Sequence, residues 1–381
     1  VKMDYLLTEE QKMLKEMVAK FAKEEIGPVA RENQEKGIYP AEIVKKAAEL
    51  GLFGIAYPPE YGGAGMDFVS YMLAIEQISR FCASTGVIIS AHSSLCADPI
   101  FRFGNEEQKK KYLPDLCSGN KIGCLGLTEP GAGSDAGAIK TTAKLKGDKW
   151  IINGTKQFIT NGEQAEIAVV IALTEPGKKT KGISAFIIEK DTPGYKVGKH
   201  EEKLGINSTS TTELIFEDCE IPKENLLGEL NKGFKVALAT LDGGRLGIAA
   251  QALGIAKASI DDGVAYSKVR EQFGQPIGMF QALQWMMADM NTEYEAAWLL
   301  TYRASRMKDL GLRYTTEAAM AKLKASETAS FCANKSLQIH GGYGYTKEFD
   351  VERYLRDAKI TEIYEGTSEV MRLVIAANML G

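Results

Sequence analysis

Ile167-Ala168-Val169-Val170-Ile171-Ala172-Leu173 is an unbroken apolar run of strand length, bounded by turn-forming residues. Working outward, the same kind of short segment recurs at Trp150-Ile151-Ile152, at Ile183 to Ile188 and at Leu214-Ile215-Phe216. Between them stand Gly147-Asp148, Asn153-Gly154, Asn161-Gly162 and Thr192-Pro193-Gly194, several at the roughly 8–12-residue spacing of an antiparallel sandwich or barrel. Residues 122–230 therefore read as a central antiparallel β domain. On both sides the period changes. Thr8 with Gln11 forms a capping box, and Met13, Leu14, Met17, Val18 and Phe21 follow at helical spacing. Pro40 opens a helix that puts Ile43, Val44, Ala47 and Leu50 on one side before Gly51, and helical patterning returns at Tyr71 to Arg80. Beyond Gly233, the stretches Arg245–Lys268, Gln281–Met307 and Thr315–Gln338 are too long for strands. The fold class is α+β: a helical N-terminal domain over residues 1–121, the β domain, and a helical domain over 231–381.

The 381 residues are long enough for several lobes around a large core. A hydrophobic share of 45% with 25% charged residues excludes a disordered or collagen-like chain. Lys+Arg 46 against Asp+Glu 50 leaves a net charge of −4, so no global basic field gathers nucleic acid or anionic lipid. No nucleic-acid or membrane partner is expected, because the apolar runs fall short of the ~20 residues that span a bilayer. Cys82, Cys96, Cys117, Cys124, Cys219 and Cys332 are scattered, without CxxC spacing, and read as buried free thiols. With only His92, His200 and His340 as imidazoles, no metal site is expected. No targeting segment is visible, which favours the cytoplasm; a processed form from the mitochondrial matrix would look alike. Glu106-Glu107-Gln108-Lys109-Lys110-Lys111 reads as a solvated helix face.

Three places carry potential chemistry. Thr128-Glu129-Pro130-Gly131-Ala132-Gly133-Ser134-Asp135 ends a strand-like segment, and its glycines let backbone N–H groups approach a ligand; a plain tight turn explains it equally well. Gln338-Ile339-His340-Gly341-Gly342-Tyr343-Gly344 lacks the GxGxxG spacing of a nucleotide fold, and a helix C-cap accounts for Gly341-Gly342. Tyr364-Glu365-Gly366-Thr367-Ser368-Glu369 precedes an apolar helical run. The N–H groups of Gly366, Thr367 and Ser368 face an anion there, or Thr367 or Ser368 is an ordinary N-cap with Glu365 complementing the helix dipole. Arg270 with Phe273-Gly274 suits a dinucleotide grip or a surface loop.

Taken together, and in this order, these segments resemble the acyl-CoA dehydrogenase family over essentially the whole chain, and most of all its short-chain, butyryl-type members. The matching stretches are Leu125 through Asp135, Phe158-Ile159-Thr160-Asn161-Gly162, Arg270-Glu271-Gln272-Phe273-Gly274, Gln338 through Gly344, and Arg356-Asp357-Ala358-Lys359-Ile360 leading into Ile363 through Thr367. The resemblance implies an N-terminal helical domain, a β domain and a C-terminal four-helix bundle, with FAD between the last two. It implies that Leu125, Leu127, Thr128, Gly133, Phe158 and Thr160 line the flavin, and that Ser134 touches both flavin and CoA. Arg270, Gln272, Phe273, Gln281, Gln338, Gly341 and Gly342 correspond to positions that hold the pyrophosphate and adenine half, part of the set reaching across from a neighbouring subunit. Thr367 and Ser368 take a phosphate position, and Asp242, Arg245 and Gly366 the substrate side.

The resemblance makes Glu365 the catalytic base. It abstracts the α-proton of an acyl-CoA thioester while flavin N5 takes hydride from the β-carbon, giving the trans-2-enoyl-CoA. Isovaleryl-type and long-chain members place their base where this chain has Gly244, and glutaryl-type members carry an arginine close to Gly86, so a short or compact monocarboxylic acyl group is implied. Medium-chain members have tryptophan where Phe158 stands. Ala91 and His92 fall in the region that shapes the acyl pocket. The implied protein is a homotetramer, a dimer of dimers, in fatty acid β-oxidation, passing electrons to electron-transferring flavoprotein. A cyclic acyl-CoA dehydrogenase or an enoyl-CoA reductase of the same family shares every one of these residues. A non-catalytic scaffold that kept the fold is the alternative from another class; its signature, loss of Glu365 or of the flavin-lining residues, is not met.

Overall fold

A computed structural model describes residues 3–381, so residues 1 and 2 of the expected first domain lie outside the described residues. Helix α1 (Glu9–Phe21) begins at the expected capping box: Thr8 Oγ1 accepts the Gln11 N–H at 3.2 Å while Gln11 Oε1 accepts the Thr8 N–H at 2.9 Å. Leu14, Val18 and Phe21 are buried; Met13, one position off that stripe, faces solvent. A π-helical turn, Ala22–Ile26, leads into α2 (Gly27–Lys36) and then α3 (Ala41–Glu49). Ile43, Val44 and Ala47 are buried as expected, whereas Leu50 sits past the helix end and is exposed. Helix α4 (Phe68–Ser79) is buried along its whole length. It is followed by α5 (Ala83–Ser90), a seven-residue π-helix at Ala91–Ala97, α6 (Asp98–Phe103) and α7 (Glu106–Cys117). Of the Glu106–Lys111 run, only Gln108 is buried, capping α7 through Asn105.

Eight strands form one sheet: β1 (Gly123–Gly126), β2 (Thr142–Lys146), β3 (Lys149–Thr160), β4 (Ile167–Leu173), β5 (Ile183–Glu189), β6 (Tyr195–His200), β7 (Thr211–Pro222) and β8 (Leu226–Leu227). Their order is β6-β7-β3-β2-β4-β5-β8, with β1 beside β4. The sheet is mainly antiparallel, but β1 and β2 each pair with β4 in parallel. The β2–β3 excursion between β1 and β4 is the long crossover that parallel pairing needs. Strand β4 is buried on both faces, which is why it reads as a continuous apolar run. Ile167, Val169 and Ile171 pack with Ile100, Leu113 and Leu116 of the N-terminal helices, and Ala168, Val170 and Ala172 with Trp150, Phe186 and Phe216 of the sheet.

The 37-residue α8 (Gly233–Val269) follows, with a short hairpin of β9 (Glu271–Gln272) and β10 (Gln275–Pro276). Helices α9 (Gln281–Asp309) and α10 (Thr315–His340) complete the long members of the bundle. The shorter α11 (Val351–Thr361) and α12 (Ser368–Leu380) pack on α10. From Gly243 to Ile260 nearly every residue of α8 is buried, because it meets α4, α5, the Ala91–Ala97 segment and the other bundle helices. All six cysteines are buried and free.

Candidate active site

The turn between α11 and α12 is strained and clamped. Glu365 has φ 53° and Gly366 φ 101°, and a non-glycine residue held in the left-handed region costs on the order of 1–3 kcal/mol unless its surroundings enforce it. Five hydrogen bonds do so. The Tyr364 hydroxyl donates to Gln251 Oε1, and Gln251 Nε2 donates to the Ala83 carbonyl at 2.8 Å. Lys322 Nζ donates to the Gly366 carbonyl at 2.7 Å. The Ser368 N–H donates to the Glu362 carbonyl at 2.9 Å, and Thr367 caps α12 by accepting the Val370 N–H at 3.2 Å.

These clamps aim the Glu365 carboxyl at α8. A Cβ placed on Gly244 would stand 2.1 Å from Glu365 Oε2 and 2.7 Å from Leu95 Cδ2, so only glycine lets the carboxyl lie against the helix. Oε2 itself is buried and has no hydrogen-bond partner. Burial pushes the Glu365 carboxyl up to about 7, against the pull of Lys322 and Arg245. Arg245 is buried, with Nη1 2.8 Å from Asp242 Oδ1 and Nε unpartnered. Asp242 Oδ2 accepts from Thr315 Oγ1 at 2.7 Å. The structure thus brings Glu365, Gly366, Asp242 and Arg245 together, and leaves three buried polar atoms there, Glu365 Oε2, Arg245 Nε and Ser368 Oγ, without partners. Unpaired buried polar atoms are costly, and their gathering at one turn is what a site awaiting a polar ligand shows.

Leu95 lies on the π-helical segment Ala91–Ala97, which packs between α8 and β1. Strand β1 then runs into Leu127 and Thr128, so this wall joins the Glu365 turn to the loop 128–135. That loop is folded back by a buried ion pair: Lys156 Nζ lies 2.7 Å from Glu129 Oε1 and donates to the Leu127 carbonyl at 3.1 Å. Glu129 also accepts the N–H groups of Lys140 at 2.6 Å and Thr141 at 3.0 Å. The Gln157 N–H reaches the Thr128 carbonyl at 2.8 Å, which sets Thr128 against β3 next to Phe158. Phe158 sits at an irregularity in the β3–β7 pairing with φ 58°, its ring 58% exposed. A Cβ on Gly131 or Gly133 would meet nothing within 4 Å, so the loop leaves open space there. Leu125 is half-buried, Leu127 buried and Ser134 exposed.

A third set lies at the far end of the bundle. Arg270, Gln272, Phe273, Gln338, Gly341 and Gly342 line one open groove of about 600 Å³, with Tyr266, Phe280 and Tyr343. Its walls are apolar and aromatic. The Arg270 guanidinium is 5.5 Å from the Tyr343 ring centre, and Phe273, at the β9–β10 turn, is 94% exposed. Gln281 begins α9 and is not among the groove's lining residues. Leu127, Thr128, Phe158 and Thr160 do not line this groove, so one chain offers the two halves of the expected cofactor site in separate places.

At the start of α12, the Ser368 N–H donates to the Glu362 carbonyl and Thr367 accepts the Val370 N–H as N-cap, while Ser368 Oγ has no partner. His92 is bonded through both ring nitrogens: Nδ1 accepts the Gly123 N–H at 3.0 Å and Nε2 lies 3.0 Å from the Leu116 carbonyl, stapling β1 to α7. Lys322, Leu95, Gln251 and Lys156 escaped the reading of the sequence. For Lys322 a signal existed: it shares the spacing of Ala318, Ala325 and Ala329, a lysine on an apolar stripe.

A three-part chain with a sheet between helical domains holds one carboxyl beside two buried cations, Arg245 and Lys322. The descriptions "Acyl-CoA dehydrogenase, N-terminal domain", "middle domain" and "C-terminal domain" match residues 8–120, 124–219 and 231–380. The chain belongs to the acyl-CoA dehydrogenase family. It is 54% identical to the short-chain specific acyl-CoA dehydrogenase of Clostridium acetobutylicum, over 99% of this chain and 100% of that one. Among solved structures, butyryl-CoA dehydrogenase from Megasphaera elsdenii superposes with a TM-score of 0.97 at 46% identity, covering 98% of this chain and 99% of that one. A chain from the structure described as the electron transferring flavoprotein of Acidaminococcus fermentans, studied towards a mechanism of flavin-based electron bifurcation, gives a TM-score of 0.98 at 53% identity, covering 99% and 100%.

Proposed function

We propose that this chain is an FAD-dependent dehydrogenase that converts a short-chain acyl-CoA to its trans-2-enoyl-CoA, with Glu365 as the base. The observation that carries this reading is the buried, unpartnered Oε2 of Glu365, set against Gly244 and faced by Arg245 and Lys322. A carboxylate in water is too weak a base for a thioester α-proton. Burial raises its basicity, so at neutral pH a share of it is ionised and each ionised group is a stronger acceptor than a free glutamate. Arg245 and Asp242 sit on the substrate side, where a polar CoA arm satisfies the unpartnered Nε. The short acyl group is supported by the relatives named for short-chain and butyryl substrates.

The residues present fit FAD. Phe158, Thr128 and Thr160 offer an exposed aromatic ring and two hydroxyl-bearing side chains beside an open glycine loop, and the Arg270 groove offers aromatic walls and a cation. When bound, FAD accepts the hydride from the β-carbon; the protein binds, orients and excludes water. The separation of the two halves supports a site completed between copies, hence a homotetramer built as a dimer of dimers. We place the domain limits at 1–121, 122–230 and 231–381, and Gln281, Thr367 and Ser368 in the cofactor set. An electron-transferring flavoprotein as acceptor is supported by the likeness to the Acidaminococcus chain. The compartment is the cytoplasm, in keeping with the bacterial relatives; no helix among the described residues is long and apolar enough to cross a membrane.

The test is anaerobic bleaching of the bound flavin by butyryl-, isobutyryl- and cyclohexanoyl-CoA, with the enoyl-CoA reduction assayed in parallel. Glu365→Gln keeps flavin and thioester binding and loses turnover by about four orders of magnitude or more, since the proton acceptor disappears while binding contacts remain. Near-normal turnover in that variant removes Glu365 as the base.

A further inference from the structure

Lys322 is fully buried in the middle of α10, on a stripe otherwise made of alanines. A buried ammonium is unfavourable unless something compensates it. Its hydrogen bond goes to a neutral group, the Gly366 carbonyl at 2.7 Å, one residue beyond Glu365. Three carboxylates act on it: Glu365, Glu362 and Glu369. Glu362 is engaged by Ser330 and Lys359, and exposed Glu369 by its own backbone N–H and Thr367. Of these three, only the Glu365 carboxylate has a buried oxygen without a partner.

The other groups facing Glu365 each have a hydrogen-bonded partner of their own. From α8, Arg245 is paired with Asp242 at 2.8 Å, and Asp242 also holds Thr315. From α4, the Tyr71 hydroxyl is bonded to Ser90 at 2.9 Å; from the turn itself, Tyr364 is bonded to Gln251, and burial keeps both phenols neutral. Lys322 is thus the cation beside Glu365 that, among the described residues, has no hydrogen-bonded carboxylate of its own.

We propose that Lys322 is a positioning residue for the proton-abstracting step: its hydrogen bond to the Gly366 carbonyl fixes the turn, and its ammonium favours the ionised form of the Glu365 carboxyl. This inference rests on Glu365 being the base. The charges act in the direction it needs, since Lys322 pulls the Glu365 carboxyl down against burial, while burial brings Lys322 itself down to about 8 and Glu365 opposes that.

The experiment is the pH profile of kcat/KM for butyryl-CoA in Lys322→Met, Lys322→Gln and Lys322→Arg holoenzymes, with flavin content read from absorbance. In the Met and Gln variants the acid limb moves up by about one pH unit, so the loss is about tenfold at pH 6.5 and shrinks toward pH 8.5. In Lys322→Arg the limb stays where it is in the parent, whatever the drop in rate. A uniform loss at every pH in both charge-removing variants makes Lys322 merely structural and overturns the proposal, as does loss of flavin and fold in both. Glu365→Gln in the same assay separates the two claims. An active Glu365→Gln retires the base itself, whereas an inactive one with an unmoved limb in Lys322→Met and Lys322→Gln retires only the role of Lys322.

Discussion

At residue 244 the absence of a side chain matters as much as the carboxyl opposite it. A single methyl there would overlap Glu365 Oε2 at 2.1 Å. The backbone of α8 cannot retreat, because it is packed on every side, so the carboxyl must move. Gly244→Ala therefore lowers kcat/KM for a short-chain acyl-CoA by at least about tenfold while the melting temperature stays within a few degrees, since alanine itself favours the helix. A variant with unaltered kinetics would show that the carboxyl is not held against α8. The titration of Glu365 gives a second test at this scale. Its folded-state value, about 7, lies above the ordinary glutamate value of 4.5, so between those pH values the folded chain binds a proton that the unfolded chain does not. That linkage makes stability fall as pH rises from 4.5 to 7. Urea denaturation of Glu365→Gln at pH 5 and pH 7.5 should show the variant gaining on the parent at the higher pH.

At the scale of elements, two buried polar devices fix the β domain, one within it and one across to the N-terminal helices. The Lys156–Glu129 pair, with Lys156 wholly buried, folds the 128–135 loop against β3. Removing one partner leaves a buried charge uncompensated, so Lys156→Met destabilises by ~3 kcal/mol or more and loosens the loop, while Lys156→Met/Glu129→Gln recovers part of that loss. Denaturant unfolding with limited proteolysis of the loop checks both. His92 staples β1 to α7 as a neutral ring, and burial brings its imidazole down to about 4. Unfolded, it takes a proton near pH 6.5; folded, it does not until about 4. Stability from this group is therefore complete above 6.5 and declines as pH falls from 6.5 toward 4. His92→Gln should show a flatter stability profile across that range, measured by thermal melts at half-unit pH steps.

For the molecule as a whole, the Arg270 groove and the Thr128–Phe158 edge do not share a cavity within one chain. If the cofactor site is completed between copies, Arg270→Ala loses flavin and weakens association together. Sedimentation velocity and flavin absorbance across a dilution series should move in step; retention of full flavin content on dilution would count against this link. The same whole-chain view explains how α8 does its work. One helix meets the N-terminal helices, the sheet and the other bundle helices, so the carboxyl pocket is fixed by the relative placement of all three regions.

Periodicity in the chain alone determined the division into helix, sheet and helix, because local spacing of apolar residues is a local property. Strand β4 and the capping box at Thr8 were equally readable, and so was the family, from motifs whose order survives in one dimension. Glu365 was named by its place in such a motif. What only tertiary structure decided is the burial of that carboxyl and the groups that surround it. Gly244 lies 121 positions before Glu365 and Lys322 43 positions before it, so no spacing rule connects them. The parallel pairings of β4, the outward turn of Met13 and the stapling role of His92 also depend on which surface each residue finally faces. Burial and the electric field at a group are sums over neighbours brought together by folding, and the linear order of residues does not contain those distances.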